Sequence, residues 1–223
     1  MIVALHISKT AGTSFRMQLA GAYGRRMHLD YEDRIGWDSR DTLTLSAQRA
    51  RCNPEELVRD YDVIYGNFIA DKYADLFPVT DFGAFFRDPC QHAVSHYEYL
   101  LRQPATDDPM LAAFHAARPT LTDLIELLPD FQTMFLGRVR IEDFSFVGLV
   151  EEYERSVALF EVMFGRKLLS TLERSNVNPN RSGESYQIAP EVQRAINLYR
   201  PRDVELHRCA RERFERLAAR YAV

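Results

Sequence analysis

Short apolar runs alternate along the chain with amphipathic stretches, and the order of the two predicts most of the elements. Ile2-Val3-Ala4-Leu5-His6-Ile7 is apolar but for His6 and reads as a buried strand beginning almost at the first residue. A helix is predicted to open near Thr13 or Ser14, with Phe15, Leu19 and Ala22 on its inner stripe. Arg26 to Tyr31 reads as a second strand. Tyr31 to Ser46 is polar and irregular, and holds the sole tryptophan, Trp37. Asn53 as cap and Pro54 at the first helical position predict a short helix. Asp62 to Tyr65 is a further strand, closed by Gly66-Asn67. Asp81 to Phe86 is another, ending at Arg87-Asp88-Pro89, where Asp88 can cap a helix whose first turn accepts Pro89. That helix has Ala93, Val94, Tyr97, Leu100 and Leu101 as its apolar face. Gln103 to Pro129 reads as a helical insertion broken at Pro104, Pro109 and Pro119, and Pro190 to Tyr221 as two helices. Such alternation predicts an α/β protein: three layers, α/β/α, around a central parallel sheet of about five strands.

The loop between the first strand and helix carries the most specific chemistry. Ser8-Lys9-Thr10-Ala11-Gly12-Thr13-Ser14 joins a strand to a helix N-terminus, where unpaired backbone N–H groups and the helix dipole favour an anion. Lys9 adds a full charge, and Thr10, Thr13 and Ser14 add hydroxyl donors; the expected ligand is a phosphate or sulfate. A Walker A loop sets its lysine after its second glycine. Here Lys9 precedes the loop's only glycine, Gly12, so the spacing departs from that of an ATP or GTP loop.

The string His6 to Ser14 resembles the 5′-phosphosulfate loop of sulfotransferases, in the branch related to heparan-sulfate and other carbohydrate enzymes, with Ser8 in place of the usual proline and Ala11 in place of a frequent glycine. Arg87-Asp88-Pro89-Cys90-Gln91-His92-Ala93-Val94-Ser95-His96-Tyr97 is similar to that family's 3′-phosphate segment, in which the first arginine and the serine bind the donor; His92 stands where a second arginine is usual. Taken alone, an Arg-Asp-Pro before a helix is also ordinary capping chemistry. Phe146 to Ser156 resembles the family's short strand leading into a helix. Asn176-Val177-Asn178-Pro179-Asn180 followed by Tyr186 resembles its Asn-x-Asn loop, with Arg181 and Ser182 as further candidates for the 3′-phosphate. Arg202 to His207 resembles its Asp-x-Glu-Leu-Tyr ending.

The resemblance implies a fold related to the nucleotide-kinase type of phosphate-loop proteins. It also implies transfer of a sulfuryl group from 3′-phosphoadenosine 5′-phosphosulfate to a hydroxyl or amine acceptor, carbohydrate being the leading class. Ser8, Lys9, Thr10, Ala11, Gly12, Thr13, Ser14, Arg87 and Ser95 would bind the donor, with Lys9 also stabilising the charge that grows on the departing phosphate. No metal is required in this scheme. Relatives supply a base either as a histidine in a Gly-His-Phe context or as an acidic residue near the second strand. The first place reads Gly66-Asn67-Phe68, and an asparagine takes up no proton; the second favours Asp30, with His28 on the same strand face and Glu32 nearby. His6 and His96 are weaker candidates. Two other readings stay open: a small-molecule kinase using ATP and magnesium, and a non-catalytic nucleotide-binding protein.

Composition narrows the setting. A chain of 223 residues with 46% apolar and 27% charged positions is long enough for a single domain with a large core. A net charge of −4 gives no global attraction to nucleic acid, so any anion site is locally focused. The three cysteines, Cys52, Cys90 and Cys209, lack metal-ligand spacing and suggest no disulfide framework. The expectation is a cytoplasmic, bacterial-type protein with no membrane span or leader, acting on a small-molecule or glycan acceptor. Tyr31 to Arg51 and the insertion over 103–129, a candidate acceptor lid or a packing subdomain, are expected to shape specificity.

Overall fold

A computed structural model describes residues 1–33, 40–78, 81–104, 109–168 and 185–223. Five strands form one parallel sheet: β1 (Ile2–Leu5), β2 (Met27–Asp30), β3 (Val63–Gly66), β4 (Phe82–Phe86) and β5 (Phe146–Leu149), in the order β2-β3-β1-β4-β5. The register pairs Leu5 with both Gly66 and Ala84, and Asp30 with Gly66, so the strands end nearly level. β1, β3, β4 and β5 are buried throughout, as parallel strands covered on both faces must be. β2 lies at an edge and alternates, with Leu29 half exposed and Asp30 buried.

The first helix, α1 (Gly12–Tyr23), returns the chain from β1 across β3 to β2. The helices after β2, namely α2 (Arg40–Cys52), α3 (Pro54–Asp60) and α4 (Asp71–Ala74), lead back through β3 toward β4. Right-handed crossovers in opposite directions put these two groups on opposite faces, which gives the three layers the alternation predicts. Between β4 and β5 run α5 (Pro89–Arg102), α6 (Pro109–Ala117), α7 (Leu121–Leu127) and α8 (Phe131–Met134); after β5 come α9 (Tyr153–Phe164), α10 (Pro190–Tyr199) and α11 (Pro201–Tyr221).

Phe15 and Leu19 of α1 are buried as the stripe predicts, and the Phe15 ring meets Phe85 at 4.8 Å and Phe160 of α9 at 5.3 Å. Burying such a side chain contributes about 1.5–3 kcal/mol. α6 and α7 bury Phe114 and Leu124 against Leu100 of α5, and Ile125 against Val192 and Ile196 of α10.

Several expectations need correction. β1 stops at Leu5 rather than Ile7, because the chain turns at His6 to enter the loop. Arg40 to Ser46, expected to be irregular, belongs to α2. Leu45 in that helix is 57% exposed, so it leaves only a faint apolar stripe in the sequence. Leu101, placed on the inner face of α5, is 48% exposed; its α5 neighbour Leu100 takes the buried position. No helix among the described residues is long and apolar enough to cross a membrane.

Candidate active site

The level strand ends bring the sequence candidates to one edge. His6 through Ala11 follow β1, Asp30 closes β2, Asn67 follows β3 and Arg87 follows β4, at the carboxyl edge where open α/β sheets bind their ligands.

The backbone of the first loop is held from three sides. Asn67 Nδ2 donates to the His6 carbonyl at 2.9 Å, His92 Nε2 lies 2.9 Å from the Ser8 carbonyl, and Arg87 Nη1 donates to the Lys9 carbonyl at 3.2 Å. Thr10 closes the turn itself, its hydroxyl donating to the Ile7 carbonyl at 2.8 Å. The first turn of a helix offers N–H groups without intrahelical acceptors, which makes the start of α1 a candidate anion site beside this fixed loop. Lys9 (φ 67°) and Ala11 (φ 62°) both adopt the left-handed region, at a cost of about 1–3 kcal/mol each. A left-handed Ala11 before right-handed Gly12 makes the kind of backbone concavity that cradles anions. It also explains why glycine suits the Ala11 position in the resembled motif.

Gly12 is required by contact rather than by its dihedral angles. A Cβ there would fall 1.9 Å from the His6 ring, which is stacked on Tyr65 at 5.6 Å. Tyr65 in turn donates its hydroxyl to the Gly12 carbonyl at 2.8 Å. Gly12→Ala is therefore expected to displace His6 and cost about 1–3 kcal/mol of stability, seen as a lower melting temperature, with at least tenfold weaker anion binding in a titration.

Three cations converge here. Lys9 has its ammonium 4.2 Å from the centre of the Tyr99 ring, and burial, then the charges of Arg102 and Arg87, push its pKa down to about 8. No carboxylate among the described residues pairs with Lys9. The Arg87 side chain is buried, and its guanidinium faces the Tyr186 ring at 5.7 Å. Asp88 accepts from the N–H groups of Cys90 and Gln91, capping α5 as expected, and Ser95 lies two turns along, also buried.

His92 has a role the sequence did not disclose. Burial, then Arg200 and His96, drive its pKa well below the usual histidine range, so the ring is neutral. A carbonyl only accepts, so Nε2 carries the proton and donates to Ser8. The position where the resembled segment has a second arginine thus holds the loop instead of offering a charge. His96, lowered to about 3 by burial and by Arg200 and Lys9, packs on Phe131 at 4.9 Å.

Asp30 is nearly buried, with its carboxylate 2.6 Å from Lys72 Nζ and accepting from the Tyr73 hydroxyl at 2.8 Å. Lys72 also meets Asp33 at 3.2 Å. His28 faces the Tyr61 ring at 5.0 Å. Asn176 to Asn180, Arg181 and Ser182 lie outside the described residues.

Sequence reasoning also missed the supports of Arg87. Gln132 clamps it at both backbone groups, accepting from its N–H at 3.0 Å and donating to its carbonyl at 2.8 Å. Asp203 fixes Gln132 in turn, accepting from the N–H groups of Gln132 and Thr133 at 3.1 and 2.7 Å. Glu151, after β5, accepts from the Asp88 N–H at 2.9 Å and lies 3.7 Å from His207. The Asp-x-Glu-Leu-His ending therefore feeds its first and last residues into the support of Arg87-Asp88. The only available signal was that likeness, since contacts across 45 to 71 residues leave no local pattern.

No protein-family model matches this chain. No curated protein matches it either. Among solved structures it is similar to a sulfotransferase from Alicyclobacillus acidocaldarius, at 17% identity and a TM-score of 0.41, over 96% of this chain and 94% of that one.

Proposed function

We propose that the protein is a sulfotransferase, moving a sulfuryl group from 3′-phosphoadenosine 5′-phosphosulfate to a hydroxyl or amine acceptor, with carbohydrate as the leading acceptor class. The observation that carries this reading is the loop after β1. Its carbonyls are held by Asn67, His92 and Arg87, and its Lys9 stands among cations with no carboxylate partner among the described residues. Such an arrangement awaits a multiply charged anion, and the lysine-before-glycine order favours a phosphosulfate over an ordinary nucleoside triphosphate.

In this reading Lys9 and the α1 N-terminus bind the 5′ end of the donor and stabilise negative charge on its bridging oxygen as the sulfuryl group departs. Arg87 and Ser95 take the 3′-phosphate, with Arg87 aimed by Gln132. Burial first, and then Arg102 and Arg87, depress the Lys9 pKa, and an anion beside the ammonium would favour its charged form again.

Calorimetric titration with 3′-phosphoadenosine 5′-phosphate tests the reading. The wild type is expected to bind at micromolar concentration, and Arg87→Ala at least tenfold more weakly, the loss of a charge-assisted contact. No binding by the wild type, together with binding of ATP and magnesium, would turn the assignment to a kinase. Tight binding with no transfer across a broad acceptor panel would leave a nucleotide-binding protein.

A further inference from the structure

The geometry points to Tyr31 and His6 as a two-residue relay that removes the acceptor's proton, an assignment that rests on the sulfotransferase reading. The Tyr31 hydroxyl lies 2.7 Å from His6 Nδ1, and the two rings meet edge to face at 5.6 Å. Tyr31 directly follows β2, at the same sheet edge as Lys9 and Asn67, and is 39% exposed, so an incoming acceptor can reach it. His6 is fixed between the Tyr65 ring and the backbone of Gly12, the first residue of α1. The pair thus abuts the helix end that receives the anion, and the Arg16 guanidinium lies over the Tyr31 ring at 5.9 Å.

The protonation states suit the task. Burial, then Arg16 and Lys9, hold the His6 pKa down to about 4, so at neutral pH it is an uncharged base. Burial lifts Tyr31 to about 12, so it keeps its proton at neutral pH, and the relay requires that it donate this proton to His6 Nδ1. The neutral ring then carries its own proton on Nε2. In the reaction the acceptor oxygen bonds to sulfur while the bond from sulfur to the bridging oxygen breaks, its electron pair staying with the 5′-phosphate. The acceptor proton passes to Tyr31 Oη as the Tyr31 proton passes to His6 Nδ1, leaving an imidazolium. A base this weak suffices because a hydroxyl proton becomes strongly acidic once its oxygen is bonding to sulfur. Donor charge also offsets Lys9 and Arg16, the two cations that depress His6.

The other candidates are committed elsewhere. Asp30 is engaged by Lys72 and Tyr73, His92 donates to Ser8, and Asn67 holds no exchangeable basic pair.

Tyr31→Phe separates a relay from a packing role. Its affinity for 3′-phosphoadenosine 5′-phosphate should stay within twofold of wild type. Transfer from 3′-phosphoadenosine 5′-phosphosulfate to phenol should fall about a hundredfold, the usual scale of general-base catalysis. Transfer to the far more acidic 4-nitrophenol should fall less than threefold, since that acceptor needs little help. Equal losses on both phenols, or weakened nucleotide binding, would overturn the relay. Nitrogen NMR of histidine-labelled protein gives a readout independent of any acceptor: His6 should show a bare Nδ1 and a protonated Nε2 at neutral pH, with the Nδ1 signal shifting in Tyr31→Phe. A proton on Nδ1 would overturn the relay even if neither phenol is turned over. Absence of nucleotide binding by the wild type would instead reject the parent reading.

Discussion

Under the proposed sulfotransferase reading, Lys9→Ala is expected to slow sulfuryl transfer by about a hundred- to a thousand-fold, the usual consequence of removing one preorganised donor from developing charge. The fold should be nearly unaffected. The Lys9 pKa in the folded protein, about 8, lies below its ordinary value of 10.5, because burial and the nearby Arg102 and Arg87 disfavour the charged form. Between those two values the unfolded chain binds more protons than the folded one, so the charge counts against stability below pH 8 and that penalty disappears as pH rises past 10.5. Removing the ammonium therefore relieves the free protein while stripping the complex of its main counter-charge. The same displacement sets a pH dependence. Affinity for 3′-phosphoadenosine 5′-phosphate should weaken as pH rises through about 8, where Lys9 loses its proton. In Lys9→Ala that alkaline limb should vanish. Titrations at stepped pH on both proteins check this, and a limb that survives the substitution would assign the titration to another group.

The parts of this molecule that could be read in the chain are those fixed by neighbours in sequence. The β1 run, the loop order Lys9-Thr10-Ala11-Gly12, and the Asp88-Pro89 start of α5 each depend on residues within one turn or one strand. Their chemistry is local, so their pattern is local. The parallel sheet was legible because four strands are buried on both faces and appear as apolar runs. α2 was not, since a mostly exposed helix needs no apolar stripe. The supports of the site were hidden for a different reason. Gln132, Asp203 and Lys72 act through hydrogen bonds or ion pairs to residues 39 to 71 positions away, and one polar residue in a sequence says nothing of its partner. His92 shows the limit most clearly. By resemblance its position is that of a second arginine, a charged residue, whereas its burial and its bond to the Ser8 carbonyl give it a neutral, structural role.

Asp30→Ala is expected to cost about 3–5 kcal/mol, the loss typical when one partner of a buried ion pair is removed and the other charge stays behind. Lys72, whose side chain is only 6% exposed, would be left with Asp33 at 3.2 Å as its remaining counter-charge. Tyr73 would also lose the acceptor for its hydroxyl, a group that burial and then Asp30 keep protonated. At about 2–4 °C per kcal/mol for a chain of this size, the melting temperature should fall by roughly 10 °C. Adding Lys72→Met should recover little of the loss, because it leaves the buried Asp33 carboxylate without its cation in turn. Asp30→Asn, which keeps the shape and an acceptor for Tyr73, separates this role from catalysis. If Asp30 serves only to anchor the end of β2, the asparagine variant should transfer sulfuryl groups within tenfold of wild type at temperatures well below its melting point. If Asp30 is the base, the same variant should lose about a hundredfold or more on weakly acidic acceptors while retaining nucleotide binding. That outcome would move the proton's destination from His6 to the β2 carboxylate.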